Sequence, residues 1–226
     1  MTYIRTNLLI LIALALTTSL SMAELSMAEP SLPNTVKEMR IELDRVNFDL
    51  QGKDAKIKRL EKVLPHSEAL AEENSNDAGF QMMAGFYNAQ YAGYKGGVGA
   101  LKYAKASRKY LEQSVKLDPT IYGSSAHSVL GTLYAQVPGW PIGFGDKKKA
   151  LNNYQAALKF APNGLDSNFT YAQYLFSQKK YKEAKRYLEK AALAPPRPDR
   201  PKADEDVSKQ ISKGLKEIEL RLADES

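Results

Sequence analysis

Apolar residues recur along the chain at spacings of three and four, the stripe of an amphipathic helix. Val36, Met39, Leu43, Val46 and Leu50 form the first stripe, predicting a helix from Asn34 to Leu50 that starts at Pro33-Asn34. Gly52 marks a break, after which Ile57, Leu60, Val63 and Leu64 predict a second helix stopped by Pro65. His66, just past that stop, is expected at a solvent-facing helix end. Glu72 to Asp77 is polar and reads as a loop, with Asp77 or Asn76 capping the helix that follows. That helix, around Phe80 to Tyr94, sets Met82, Met83, Phe86, Tyr87, Tyr91 and Tyr94 among alanines and glycines. Large and small residues alternate in this way where helices interdigitate. An aromatic cage for a cation or a sugar is the sharper reading of the same residues. Gly96-Gly97-Val98-Gly99 has neither the preceding strand nor the following Lys-Ser/Thr pair of a phosphate loop, and is expected to join two helices.

The second half is periodic. Ala150, Tyr154, Ala157 and Pro162 return 34 positions later as Ala184, Leu188, Ala191 and Pro196. Leu130-Gly131 with Tyr134 corresponds to Tyr171-Ala172 with Leu175. Small residues where two antiparallel helices cross let the backbones approach, large neighbours fill the space beside them, and proline ends each second helix. This period is that of the tetratricopeptide repeat. A weaker copy uses Ser107, Leu111, Ser114, Leu117 and Pro119. The reading is therefore one degenerate unit over 80–121 and two firm ones over 124–164 and 165–198, within a repeat region spanning 76–200 and preceded by an N-terminal helical segment over 24–75.

The spacing of the prolines exposes an insertion. Pro162 to Pro196 is 34 residues but Pro119 to Pro162 is 43, nine more. Two of the nine fall around Tyr122-Gly123, and seven enlarge the turn from Ala135 to Gly145, which carries Trp140, the only tryptophan. On a proline-stiffened turn Trp140 and Phe144 lose little entropy on binding and make good anchors. The other reading is that both fold back as packing, and the sequence leaves the two open. After Pro195 to Pro201, expected to be a stiff extended linker, Val207, Ile211, Leu215, Ile218 and Leu222 predict a terminal helix over 201–226. A solenoid needs such a cap because its last unit otherwise exposes an apolar side. The fold expected is all-α: a tetratricopeptide-like helical-repeat solenoid with an N-terminal helical extension and a C-terminal capping helix.

Composition adds an address. Arg5, the apolar run Leu8 to Leu16 and the small-x-small site Ser21-Met22-Ala23 have the layout of a secretory signal over 1–23. The run is about half of the roughly 20 apolar residues a spanning helix needs. Leu20-Ser21-Met22-Ala23-Glu24 repeats at once as Leu25-Ser26-Met27-Ala28-Glu29, so cleavage after Ala23 or after Ala28 both fit. The expected location is periplasmic or secreted, with no stable membrane span in the mature form. The absence of cysteine excludes a disulfide framework, a thiolate metal site, a cysteine nucleophile and a lipid-acceptor cysteine. The net charge of +6 is interleaved with acids along the helices, the pattern of solvated faces rather than of a nucleic-acid surface. His66 and His127, the only histidines, lie in unrelated places and no Ser-His-Asp order is credible. No enzyme activity, cofactor or metal is expected.

Gly131-x-x-Tyr134-x-x-Val137-Pro138-Gly139-Trp140-Pro141-Ile142-Gly143-Phe144-Gly145-Asp146-x-x-x-Ala150, followed by a repeat unit, resembles exported tetratricopeptide proteins related to the TatT component of tripartite ATP-independent periplasmic (TRAP) transport systems. The resemblance covers about Leu101 to Pro196. It implies an all-helical periplasmic protein that associates with a solute-binding protein, as an oligomer. In such units the first helices line the groove, which would place Ser128, Thr132, Phe169, Gln173 and Phe176 there. The candidate partner-binding residues are thus Thr132, Trp140, Phe144, Phe169, Gln173 and Phe176. The function expected is a non-enzymatic scaffold or adaptor for a protein partner in the cell envelope or for a small ligand. An envelope- or peptidoglycan-associated structural protein is the alternative.

Overall fold

The computed structural model describes residues 31–224, so the expected leader and both candidate cleavage sites lie outside the described residues. Among them there is no strand. The helices are α1 (Val36–Phe48), α2 (Lys53–Glu73), α3 (Ala78–Lys95), α4 (Ala100–Leu117), α5 (Ile121–Gln136), α6 (Lys147–Phe160), α7 (Leu165–Ser177), α8 (Tyr181–Ala192) and α9 (Pro201–Asp224). Local chemistry sets several starts. Thr35 Oγ1 accepts from Glu38 N while the Glu38 carboxylate accepts from Thr35 N, a capping box that opens α1. Asp77 accepts from Gly79 N and Phe80 N at the start of α3, and Asp146 from Lys148 N and Lys149 N at the start of α6.

The helices pair antiparallel as α1/α2, α3/α4, α5/α6 and α7/α8, with α9 closing the series. First helices run parallel to one another. Val36 meets Gly79 near the starts of α1 and α3, and Tyr94 reaches Asn47 near their ends. The N-terminal extension therefore lengthens the repeat row itself: Met39, Val46, Leu60 and Val63 share one apolar cluster with Met83, Tyr87, Leu111, Leu130 and Tyr154. A second cluster gathers Phe169, Leu175, Leu188, Ile211 and Ile218 from α7, α8 and α9, and Tyr171 packs against both. The predicted small-residue crossings are real. A Cβ on Gly131 would lie 2.8 Å from the Tyr154 ring, and one on Gly85 would lie 2.5 Å from Leu111.

Three sequence expectations are corrected. Pro65 does not stop α2, which continues to Glu73. The reason is its packing along α3: Tyr91 Oη donates to Glu61 Oε1, Asn88 Nδ2 to Glu68 Oε1 and Gln81 Nε2 to Ala71 O, so contacts on both sides of the proline hold the helix. Such packing outweighs the roughly 3 kcal/mol that an internal proline costs. His66 is consequently no end residue; its Nε2 lies 3.0 Å from Pro33 O and 3.1 Å from Asn34 Oδ1, tying the approach to α1 onto α2. The stretch from Pro195 to Pro201 is no extended linker either. It turns at Pro198-Asp199, with Arg200 N donating to Arg197 O. Arg197 binds both Asp166 and Asp204, which fixes that turn against the starts of α7 and α9.

The same turn brings the start of α9 onto α1. Arg200 donates from two nitrogens to Asp44, Arg40 pairs with Asp199 at 2.9 Å, and Lys202 pairs with Asp49. Arg40 also lies over the Tyr122 ring, 4.1 Å from its centroid. The row of first helices thus curves until its first member touches its last. Tyr122, Gly123 and Ser124, around which two inserted residues were placed, adopt left-handed backbone at φ 45°, 64° and 62° before α5 becomes regular.

Candidate binding face

Two clefts lie in the face carried by the first helices. One, of about 540 Å³, sits between the C-terminal halves of α3 and α5, roofed by Val98 from the α3–α4 turn and Ile142 from the α5–α6 loop. Ala92, Ala104, Val129 and Leu133 make its wall apolar. The other, of about 550 Å³, lies between α7 and α9 and is lined by Phe169, Gln173, Phe176, Leu188, Lys213 and Gly214. Gln136, at the last turn of α5, lines both and makes them neighbours.

The candidate residues divide among these features. Thr132 lines the first cleft, its hydroxyl donating to Ser128 O at 3.1 Å and accepting from Tyr154 Oη at 3.2 Å. Phe169, Gln173 and Phe176 come together in the second. Gln173 is exposed, Phe169 is buried, and Phe176 is half-buried with its ring edge-on to Tyr181. Ser128 does not line the face, because it turns into the core at 2% exposure.

The inserted loop separates the two aromatic residues that the sequence treated together. Gly145 N donates to Pro138 O and Asp146 N to Tyr134 O, closing the neck of the loop. Gly143 and Gly145 sit so close to the carbonyls of Pro138 and Val137 that neither position has room for a side chain. Phe144 folds back, edge-on to Tyr134 at 5.6 Å and under the Arg108 guanidinium at 4.4 Å. Trp140, followed by a cis peptide to Pro141, stands at the tip with 90% of its surface exposed. The packing reading therefore holds for Phe144 and not for Trp140.

Tyr134, Tyr154 and His127 are held in the packing behind the first cleft, while Lys213 and Glu217 line the second. Burial pushes the Tyr154 phenol up to about 12. Burial, and then the short bond from Tyr134 Oη to Glu112 Oε1, raises the Tyr134 phenol above its usual range. His127 is packed, with Nδ1 3.0 Å from Asn153 Oδ1 and its ring stacked on Phe160. Among the described residues, no group of three or more His, Cys, Asp or Glu is placed to hold a metal ion, and no helix is long and apolar enough to cross a membrane.

Sequence reasoning missed Gln136, Val98, Ile142 and the α9 wall of the second cleft. Val98 and Ile142 sit in turns, outside any helical stripe, so periodicity carries no signal for them. The α9 wall follows from its packing against α8, Gly214 lying on Leu188, which the capping role of α9 implied without naming residues.

No curated protein matches the chain. Residues 165–197 match the family described as Tetratricopeptide repeat, the span of α7, α8 and the turn between them. The chain therefore contains a tetratricopeptide repeat, set in an all-helical repeat solenoid.

Proposed function

We propose that the chain is an exported, non-enzymatic scaffold that holds a segment of a protein partner in the two adjoining clefts of its first-helix face. Tetratricopeptide repeats generally mediate protein–protein interactions, and that is the function class the repeat supports. The observation that carries the finer reading is the adjacency of the clefts: the first, apolar one with Thr132 and the second, with Phe169, Gln173 and Phe176 beside Gln210, Lys213 and Glu217, meet at Gln136. Apolar walls with a few convergent polar groups suit a bound segment, and they offer no nucleophile-and-base pair. The signal-like N-terminus supports a partner outside the cytoplasm, in the periplasm or the secreted space. The resemblance to proteins of periplasmic transport systems makes a solute-binding protein the first candidate.

The test is site-specific photo-crosslinking in cells, with the reactive group at Gln173 and, as a control, at Ser208 on α9. Both positions are exposed, so neither probe disturbs the core. One partner captured from Gln173 and absent from Ser208 is the expected result, and Gln173→Arg should abolish its co-purification. Equal capture from both positions would sink the groove assignment.

A further inference from the structure

The α3–α4 turn and the α5–α6 loop flank one cleft and present their apolar residues outward. Val98 is 94% exposed, Trp140 90% and Ile142 69%, a density of bare large side chains seen nowhere else in the described residues. Isolated exposed apolar residues need no explanation, but three on two adjacent loop tips do. Lysines surround them: Lys95 and Lys102 flank the turn, and Lys147, Lys148 and Lys149 follow the loop, all exposed. Acids are few there. From residue 78 to 145 the only ones are Glu112, engaged by Tyr134, and Asp118, bonded to Thr120 at the far end of α4; Glu61 of α2 reaches this end of α3 through Tyr91, whose hydroxyl donates to it and accepts from Lys95. Asp146 beside the loop turns its carboxylate onto the backbone of α6.

The lysine triad also sits where helix physics disfavours it. The first turn of a helix is the positive end of its dipole and prefers acids, yet the α6 cap is followed by three lysines and no acid. A local choice against stability is a mark of function. Tryptophan at a projecting tip, flanked by aliphatics and ringed by lysines, is the arrangement that enters the interface of a bilayer, with the ring at headgroup depth and ammonium groups on lipid phosphates.

We propose that these two loops dock the protein peripherally on an anionic lipid bilayer, with Trp140, Ile142 and Val98 inserted at the interface and Lys95, Lys102 and Lys147–Lys149 on the headgroups. A protein lacking any cysteine for lipid attachment would be held at a membrane surface in this way, with the clefts beside the loops still carried on the first-helix face. The assignment shares Val98 and Ile142 with the rim of the first cleft and uses none of Phe169, Gln173 and Phe176 in the second, so it is tested apart from partner capture at Gln173.

Trp140, being the only tryptophan, makes the test specific even in the full chain, where the apolar N-terminus could itself touch lipid without giving a signal. The emission of Trp140 is followed while vesicles of phosphatidylglycerol and phosphatidylcholine, or of phosphatidylcholine alone, are added. A blue shift with loss of acrylamide quenching is expected on the anionic vesicles only, weakening as salt is raised. Lys147→Glu/Lys148→Glu/Lys149→Glu should fold at least as stably, because acids suit that helix start. It should need at least about a hundredfold more lipid for the same shift, each lysine lost near an anionic surface being worth roughly fivefold and each glutamate adding repulsion. Vesicle binding without a change in Trp140 emission overturns the proposal, as does an equal shift on neutral vesicles or an unaltered lipid requirement in the triple variant. A shift produced by a captured protein partner and not by vesicles overturns it in favour of protein docking on the loops.

Discussion

A methyl group added at Gly131 and one added at Gly93 have opposite consequences, although both glycines belong to first helices of this row. At Gly131 the new Cβ would meet the Tyr154 ring at 2.8 Å, and that ring is held by Thr132 and by Tyr174 at 5.0 Å. Overpacking of this kind costs about 1–3 kcal/mol. At Gly93 nothing lies within 4 Å, and an alanine gains the roughly 0.5–1 kcal/mol by which glycine weakens a helix interior. Urea unfolding of Gly131→Ala and Gly93→Ala should therefore move the midpoint down and up respectively; a shared sign would contradict the packing described. Gly131 was legible in the sequence because its large–small pair returns in the next unit. The emptiness beside Gly93 was not, because it depends on where the α5–α6 loop stands.

The buried phenols add a pH dependence with a definite sign. Burial raises Tyr110 and Tyr154 from the ordinary 10.0 to about 12. Below pH 10 both states of the chain hold these protons and the stability is complete. As pH climbs from 10 towards 12 the unfolded chain releases protons that the folded chain keeps, so stability falls throughout that window. Each unit of raised pKa corresponds to about 1.4 kcal/mol of preference for the neutral form. Helical circular dichroism should be lost together with the appearance of the last fraction of the tyrosinate absorbance, that of the buried phenols, in one cooperative step above pH 10. Complete tyrosinate formation with the helix signal intact would show these phenols to be less enclosed than this.

At the scale of elements, legibility followed the source of each helix's stability. The unit over 165–198 could be read because α7 and α8 carry regular apolar stripes and proline follows α8, and it is also the span that matches the repeat family. α2 was misread because its continuity rests on side-chain packing against α3, which local helix rules do not weigh against a proline that they treat as a stop. Pro65 is exposed and lies in mid-helix, so Pro65→Ala restores a backbone N–H there without opening a cavity. The expected gain is about 1–3 kcal/mol in urea unfolding, reduced by the freedom alanine returns to the unfolded chain. A loss of stability would mean that the proline shapes the bend along which α2 follows α3.

For the whole molecule the decisive contacts are those no local pattern can show. Repeat rows are stabilised chiefly by neighbours, and the two larger apolar clusters of this one span α1 to α6 and α7 to α9. They join through Tyr154, Tyr171 and Tyr174, and again where Arg200 meets Asp44 across 156 residues. At 21% and 17% exposure this pair is dry enough to matter, and removing one partner strands the other's charge. Asp44→Asn and Arg200→Gln should each lower stability by about 1–3 kcal/mol, with a coupling of about 1 kcal/mol in the double-mutant cycle. Amide exchange gives the spatial signature: protection should fall in α1 and the first turns of α9 while the middle of α8 keeps its rate. Additive single effects, or faster exchange spread evenly over α7 to α9, would show the curvature of the row to be set by helix packing alone. In that case the Arg200–Asp44 pair would follow from the closed shape and would not hold it.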